Sequence, residues 1–365
     1  MTALQLPVCT FFQRAVRALP ALLLPVLVLA QGAEFSSLDE APALQQRIAE
    51  ERRQGNAEAA WELERALIAL VANYPDDLRT ARILRDIGDY RMDVLARYSA
   101  GEFPAEIVLG CYYFQNQDHT AVRQRGSTPM TSSSGSRAET NSCAVGSNRR
   151  AMLQLAEDAA NWYIQSARIM MRNEQAPVDE VRDVTIKAVA TSYRVSDYRT
   201  GRSMLDALLS YQTEHGASGL ARAETLALLG DWDLLFAEHF GSRYVEFALA
   251  TYREVLALLD ETDVAASGVA SIFSPQTPIL LPAFASNRLL SGQALDRSEY
   301  LDVNFEIRDN GKTASIKVVD SSDGLSRSVV REVEDTIRHG RFRPFAANGQ
   351  LLESEPVTVR YYIAD

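Results

Sequence analysis

The end of the chain decides the fold of its C-terminal part. Residues 300–363 read YLDVNFEIRDNGKTASIKVVDSSDGLSRSVVREVEDTIRHGRFRPFAANGQLLESEPVTVRYYI. Apolar and polar residues alternate at its start, with four apolar positions at Leu301, Val303, Phe305 and Ile307. A period of two predicts a strand with one buried and one exposed face. Asp309-Asn310-Gly311 follows and predicts a tight turn, because these residues accept positive φ. The chain is therefore expected to return as a second strand over residues 313–320.

A helix and a last strand complete this pattern. Apolar residues recur at helical spacing at Val329, Val330, Val333 and Ile337. This spacing predicts an amphipathic helix over residues 325–338, and Gly340 stands where a glycine commonly ends a helix. After a second turn at Asn348-Gly349, alternating apolar residues predict a strand that begins at Val357. The order β-β-α-β predicts one helix on one face of a small antiparallel sheet.

Four segments of this stretch occur in a characteristic order. They are the strand at 301–308, the turn Asp309-Asn310-Gly311-Lys312, the return strand ending Val318-Val319-Asp320-Ser321-Ser322, and Arg341-Phe342-Arg343-Pro344. Together they resemble the C-terminal domain of the TonB family, over residues 299–365. The resemblance implies that the last strand pairs with a short peptide of an outer-membrane receptor.

The resemblance places the partner-binding residues on the last strand. They are Val357, Thr358, Val359, Arg360, Tyr361 and Tyr362. The edge of a sheet carries unpaired backbone groups that an added strand can bind, and alternate side chains then select the partner. We expect Thr358, Arg360 and Tyr362 to be exposed and to do this. The hypothesis requires an open outer edge on this strand. The alternative is that the strand only closes the sheet, or pairs with a second copy in a homodimer.

The N-terminus has the pattern of a secretion signal at residues 1–30. Arg14 and Arg17 precede an uncharged apolar run at 18–30, which ends in Val28-Leu29-Ala30 with small residues at the positions that a signal peptidase reads. The alternative is a retained membrane anchor, but the run is shorter than the about 20 residues that cross a bilayer. We therefore expect cleavage and a periplasmic protein. A retained segment would instead place it on the inner membrane, facing the periplasm.

Export makes the cysteines informative. Once the signal with Cys9 is removed, Cys111 and Cys143 remain, and an even number in an exported chain predicts a disulfide. A Ser/Gly-rich loop at about 119–147, expected to be disordered, lies largely between them. The alternatives are two unpaired thiols, or a zinc site with His119, for which no fourth ligand stands at useful spacing.

Residues 34–260 predict helices almost throughout, joined by short turns. Residues 55–63 and 223–259 resemble parts of tetratricopeptide (TPR) repeats, and in the second segment Leu228-Leu229-Gly230-Asp231-Trp232 is read as the end of a first helix or its turn. Prolines then predict a linker at 261–298. The predicted fold class is α+β: a large TPR-like array of helical hairpins followed by the small β-β-α-β domain.

The sequence carries no pattern typical of catalysis. A formal charge of −11 on 365 residues argues against a nucleic-acid partner. Four histidines stand far apart and are read as surface or capping residues: His119, His215, His239 and His339. Asp231 and Asp233 flank Trp232, which is read as a packed tryptophan in a turn and not as a carboxylate pair. We expect no enzyme activity, no cofactor, no metal and no small-molecule substrate.

These observations lead to one hypothesis and two alternatives. The hypothesis is an exported, periplasmic TonB-like protein that binds a peptide of an outer-membrane receptor or another envelope protein, as an accessory to TonB-dependent transport. The first alternative is a TonB energy transducer whose N-terminal segment stays in the inner membrane. The second is a periplasmic TPR scaffold for envelope assembly, unrelated to transport.

Overall fold

The computed structural model describes residues 37–99, 148–262, 265–273, 289–291, 299–347, 349–352 and 355–363. The predicted signal at 1–30, the Cys111–Cys143 disulfide, His119 with its loop, and the linker prolines lie outside these residues. The chain divides into two compact units, residues 1–73 and 74–365.

The first unit is a helical hairpin. A 3-10 turn at Leu38–Glu40 leads into α1 (Ala41–Arg53), and α2 (Ala57–Val71) follows. The two helices pack on each other, and Arg52 of α1 forms an ion pair with the buried carboxylate of Glu64 in α2.

The second unit begins with the remaining helices. These are α3 (Leu78–Ser99), α4 (Asn148–Arg172), α5 (Val178–Arg194), α6 (Tyr198–Glu214), α7 (Gly219–Phe240), α8 (Arg243–Asp260) and the short α9 (Ala265–Ile272). From α3 to α9, each described helix packs against the next one along the chain. The prediction of helices joined by short turns is confirmed for the described part of residues 34–260, whereas α9 lies in a segment predicted as linker.

One interpretation of this region is wrong. The segment from Leu228 to Trp232 does not end a helix but lies within α7. Gly230 serves close helix packing at this position: a Cβ there would lie 2.5 Å from Cε1 of Tyr252 in α8. The interpretation of Trp232 as a packed side chain is confirmed, since it is fully buried and its Nε1 donates a hydrogen bond to the Tyr198 carbonyl at 3.0 Å.

A small antiparallel sheet ends the second unit. Its strands are β1 (Leu289–Ser291), β2 (Tyr300–Ile307), β3 (Thr313–Ser321) and β6 (Val357–Ile363), and α10 (Arg327–His339) joins β3 to a short hairpin of β4 (Phe345–Ala347) and β5 (Gln350–Leu352). Both predicted turns are present, with Gly311 and Gly349 at positive φ. The core lies between the sheet and α10. The α+β class is therefore confirmed, while β1, β4 and β5 were not predicted.

The core of this module follows from the alternation in the sequence. Its buried residues come from β2, α10, β6 and the segment after α10: Leu301, Val303, Phe305, Ile307, Val333, Ile337, Phe342, Val359 and Tyr361. Every second residue of β2 is buried, as its period of two predicts. Ile316 and Val318 of β3 pack at the margin of this core, as expected for inward-facing residues.

Candidate functional site

The last strand, β6, lies inside the sheet and not at its edge. The strand order is β1-β6-β2-β3. Three pairs join β1 to β6: Leu289 with Ile363, Leu290 with Tyr362, and Ser291 with Tyr361. The prediction of an open outer edge is therefore wrong for residues 361–363, because an upstream segment of the same chain binds their backbone. Among the described residues, 357–360 pair with β2 alone.

The two faces of β6 are arranged as the sequence predicts. The core face carries Val357, Val359 and Tyr361, and the other face carries Thr358, Arg360 and Tyr362. Val359 and Tyr361 are buried, while Thr358 and Arg360 are exposed and Tyr362 is half-buried. The pairing of β6 with β2 runs without interruption from Tyr300–Tyr362 to Phe305–Val357. The structure therefore brings all six predicted residues together on one regular strand.

Arg360 is held by neighbours on β2. Its Nε and Nη2 donate to the two carboxylate oxygens of Asp302, each at 2.7 Å, and its guanidinium lies 3.9 Å from the centre of the Tyr300 ring. The hydrogen bond from Arg360 lowers the pKa of the Asp302 carboxyl, and this outweighs the smaller effect of burial. A ring contact and a bidentate pair of this kind fix the guanidinium in place. Arg360 therefore presents a fixed side chain to any added strand, and its charge is already paired with that of Asp302.

The opposite side of the sheet ends in β3, which is irregular. Its pairing with β2 shifts register twice, and Ser315 has a positive φ of 55°. Lys317 and Val319 are exposed on this strand. Bulges and charged residues are devices that discourage pairing at a sheet edge. The two sides of the sheet thus differ: β3 is poorly shaped for an added strand, and β6 is well shaped but partly covered.

The sheet module is fixed to the helices by Arg343, in the segment after α10. Its Nε and Nη2 donate to the carboxylate of Asp231 in α7 at 2.8 and 2.6 Å, and its Nη1 donates to the carbonyl of Ile272. Tyr252 donates a further hydrogen bond to Asp231 at 2.8 Å. Burial alone would lower the pKa of Arg343, but the charge of Asp231 reverses this and raises it. The Arg-Phe-Arg-Pro motif is visible in the sequence, but no local pattern there indicates that it joins the sheet module to the helices.

The second aspartate beside Trp232 has a separate set of partners. Asp233 is fully buried, accepts a hydrogen bond from the Tyr198 hydroxyl at 2.5 Å and pairs with Arg202. Burial, and then this hydrogen bond, raise the pKa of Tyr198. The side chains of Asp231 and Asp233 therefore point from α7 toward different helices, and each forms an ion pair with a different arginine. Their geometry supports a structural role and not paired acid–base chemistry.

The described histidines lie at helix ends or on the surface. His215 caps the C-terminus of α6 and stacks on Tyr211, His239 is exposed near the end of α7, and His339 is the last residue of α10. This confirms the surface or capping interpretation for these three. In the described residues, no three side chains of His, Cys, Asp or Glu are grouped so that they could hold a metal ion.

Comparison with known proteins gives no relative: no family model, no curated protein and no solved structure matches this chain. Within the described ranges, no helix has both the length and the apolar character needed to cross a membrane.

Proposed function

We propose that this protein is an exported periplasmic adaptor of the TonB type, which binds an extended peptide of an outer-membrane receptor as an accessory to TonB-dependent transport. The observation that carries the proposal is the regular β6 strand, six residues of which pair with β2 without a shift in register. A strand of this kind is a template for an added strand, because its backbone groups are evenly presented. The TonB-like order of β2, β3, α10 and β6 supports the same function.

The helices would supply the second half of an adaptor. The described helices of the second unit pack in sequence, as hairpin arrays of the TPR type do. The sheet module is anchored on this array through Arg343 and Asp231. A receptor peptide bound at β6 would therefore be connected to whatever the helices bind.

Site-specific photo-crosslinking in cells tests this function. A photoreactive residue in place of Thr358 stands on the exposed face of β6, and one in place of Val319 on β3 is the matched control, because Val319 is 56% exposed. We expect adducts with an outer-membrane receptor from position 358 and none from position 319. Equal labelling from both positions, or the absence of any receptor adduct, would contradict the proposal. Determining the mature N-terminus separates the adaptor from the anchored transducer, since cleavage predicts a chain that begins near Gln31.

A second candidate function is a scaffold for envelope assembly. An exposed aromatic surface near the turn between α7 and α8 favours it, formed by Phe240, Tyr244 and Phe247. Phe240 is 51% exposed and Phe247 is 39% exposed, and contiguous exposed apolar surface commonly marks a protein contact. If position 358 gives no receptor adduct while position 247 crosslinks to envelope enzymes, the scaffold is the better description.

A further inference from the structure

The pairing of β1 with β6 puts a segment of the chain at the place where the proposed function requires a partner. β1 contributes three residues, whereas β2 pairs with six residues of β6 on the other side. Residues 292–299 connect β1 to β2, and these two strands lie on opposite sides of β6. The outer edge of β6 is therefore covered in part by a short strand of the same chain.

We propose that β1 is a displaceable cover, and that an extended partner peptide binds β6 along Val357–Ile363 after displacing Leu289–Ser291. This rests on the proposed function for the identity of the partner, but the exchange itself involves only this chain and a peptide. The partner is expected to run antiparallel to β6, as β1 does.

The difference between the two sides of the sheet supports this assignment. On β3 the bulges and the left-handed Ser315 are built into the strand and cannot be removed. On β6 the protection comes from a separate segment held by three pairs. A sheet edge that binds no partner can be protected by bulges within its own strand. A sheet edge that binds a partner can be protected only by a segment that dissociates from it.

The covalent connection between β1 and β6 sets how strongly β1 competes. A strand that belongs to the same chain as its binding site acts at an effective concentration on the order of millimolar. A partner that paired only where β1 pairs would therefore be excluded at ordinary concentrations. A partner that also pairs with residues 357–360 makes additional main-chain hydrogen bonds, each contributing about 0.5–1.5 kcal/mol. The cover therefore selects for partners with a longer extended segment.

The chemistry of the partner follows from the two faces of β6. Beside Val359 and Tyr361, an added strand continues the face that α10 covers, so apolar side chains fit there. Beside Thr358 and Arg360 it continues the solvent face, where Asp302 already balances the charge of Arg360. The expected partner is a segment with alternating apolar and uncharged polar residues.

Peptide binding to the purified chain tests the proposal. The probe is the fluorescent peptide Val-Thr-Val-Thr-Val-Thr-Val, because in the register of β1 it places a valine beside each of Val357, Val359, Tyr361 and Ile363 and a threonine beside each of Thr358, Arg360 and Tyr362. Leu290→Pro removes a backbone donor from β1, and is expected to bind the probe about twofold more tightly than the native chain, because a cover whose release costs almost no free energy is closed in about half of the molecules. Leu290→Cys with Tyr362→Cys links two residues that face each other, and the oxidised form is expected to bind the probe at least about tenfold more weakly than the reduced form, because β1 then stays paired with residues 361–363.

The controls distinguish a cover from a general effect on the fold. Glu306→Cys with Ala314→Cys links β2 to β3, away from β6, and should bind the probe as the native chain does, oxidised or reduced. Reduction of the Leu290–Tyr362 clamp should restore probe binding relative to the oxidised form of the same variant. The proposal is overturned if the oxidised clamp binds like the native chain, if Leu290→Pro with a native circular dichroism spectrum gains no affinity, or if no variant binds the probe.

This experiment and the crosslinking in cells can fail separately. Probe exchange at β6 without any receptor adduct from position 358 would leave the displaceable cover standing and remove the receptor as the partner. Receptor adducts together with an oxidised clamp that still binds the probe would remove the cover and leave the adaptor.

Discussion

Replacing Arg343 by methionine is expected to destabilise the second unit strongly, because it leaves a buried carboxylate without its main partner. The Asp231 side chain is 4% exposed and the Arg343 side chain 22% exposed. In Arg343→Met, Asp231 would keep only the hydrogen bond from Tyr252, and the carbonyl of Ile272 would lose the donor that Arg343 provides. Breaking a buried ion pair by removing one partner costs about 3–5 kcal/mol.

Urea denaturation followed by circular dichroism measures this change. Both residues lie in the unit of residues 74–365, so the shift should occur in the transition of that unit. Arg338→Met is the matched control in the same module. Arg338 pairs with Asp335 on the exposed face of α10, and both side chains are more than half exposed. A surface pair of this kind contributes about 0–1 kcal/mol.

A double variant separates the pair from the packing around it. Arg343→Met combined with Asp231→Leu removes both charges, and buried pairs replaced in this way are often neutral or more stable. We therefore expect the double variant to regain most of the stability lost in Arg343→Met. The reasoning is refuted if Arg343→Met lowers the free energy of unfolding no more than Arg338→Met does. It is also refuted if the loss in the double variant equals the sum of the losses in Arg343→Met and Asp231→Leu measured separately.

Three further substitutions test single positions in the second unit. Gly311→Ala should destabilise by about 2–4 kcal/mol in urea denaturation, because φ is +73° there and a Cβ would lie 2.4 Å from the Phe342 carbonyl oxygen. Tyr361→Phe should make the loss of stability above about pH 10 less steep. Burial raises the pKa of Tyr361, so the unfolded chain releases this proton first and native stability falls as pH rises. Gln212→Leu should leave the free energy of unfolding, measured by thermal denaturation, unchanged or raise it by up to about 3 kcal/mol. The reason is that the fully buried amide has no hydrogen-bond partner among the described residues.

Each of these has a control or a result that contradicts it. Gly349→Ala has a similar φ of +72° but open space around the Cβ, so it should cost less than Gly311→Ala; an equal cost would mean that the contact with Phe342 is unimportant. Parallel stability curves for Tyr361→Phe and the native chain between about pH 9 and about pH 11 would show that its ionisation does not matter. A loss of more than about 1 kcal/mol in Gln212→Leu would show that the amide is satisfied in solution.

What the sequence predicts well in this protein is local. The alternation in β2, the turn at Gly311 and the apolar spacing in α10 each involve neighbouring residues, so their periods predict the elements directly. The faces of β6 follow in the same way, and this is why Thr358 and Arg360 are found exposed as expected.

What the sequence does not predict depends on pairs that are far apart. β1 has three residues and no period, so nothing distinguishes it from the rest of the predicted linker until β6 is seen beside it. Arg343 and Asp231 are 112 positions apart, and neither carries a local signal for the other. Gly230 shows a related limit: a glycine in a sequence suggests a helix end, but here the ring of Tyr252 requires it inside a helix.

The strengths of these contacts decide which part of the module can move. Releasing β1 would lose a few main-chain hydrogen bonds, each contributing about 0.5–1.5 kcal/mol, while the freed residues would regain about 1–2 kcal/mol each of backbone entropy. These contributions nearly cancel for three residues. Detaching the module from the helices would instead break the buried Arg343–Asp231 pair, at about 3–5 kcal/mol. The edge of β6 is therefore expected to open while the module stays attached, so that a captured peptide remains connected to the helical array.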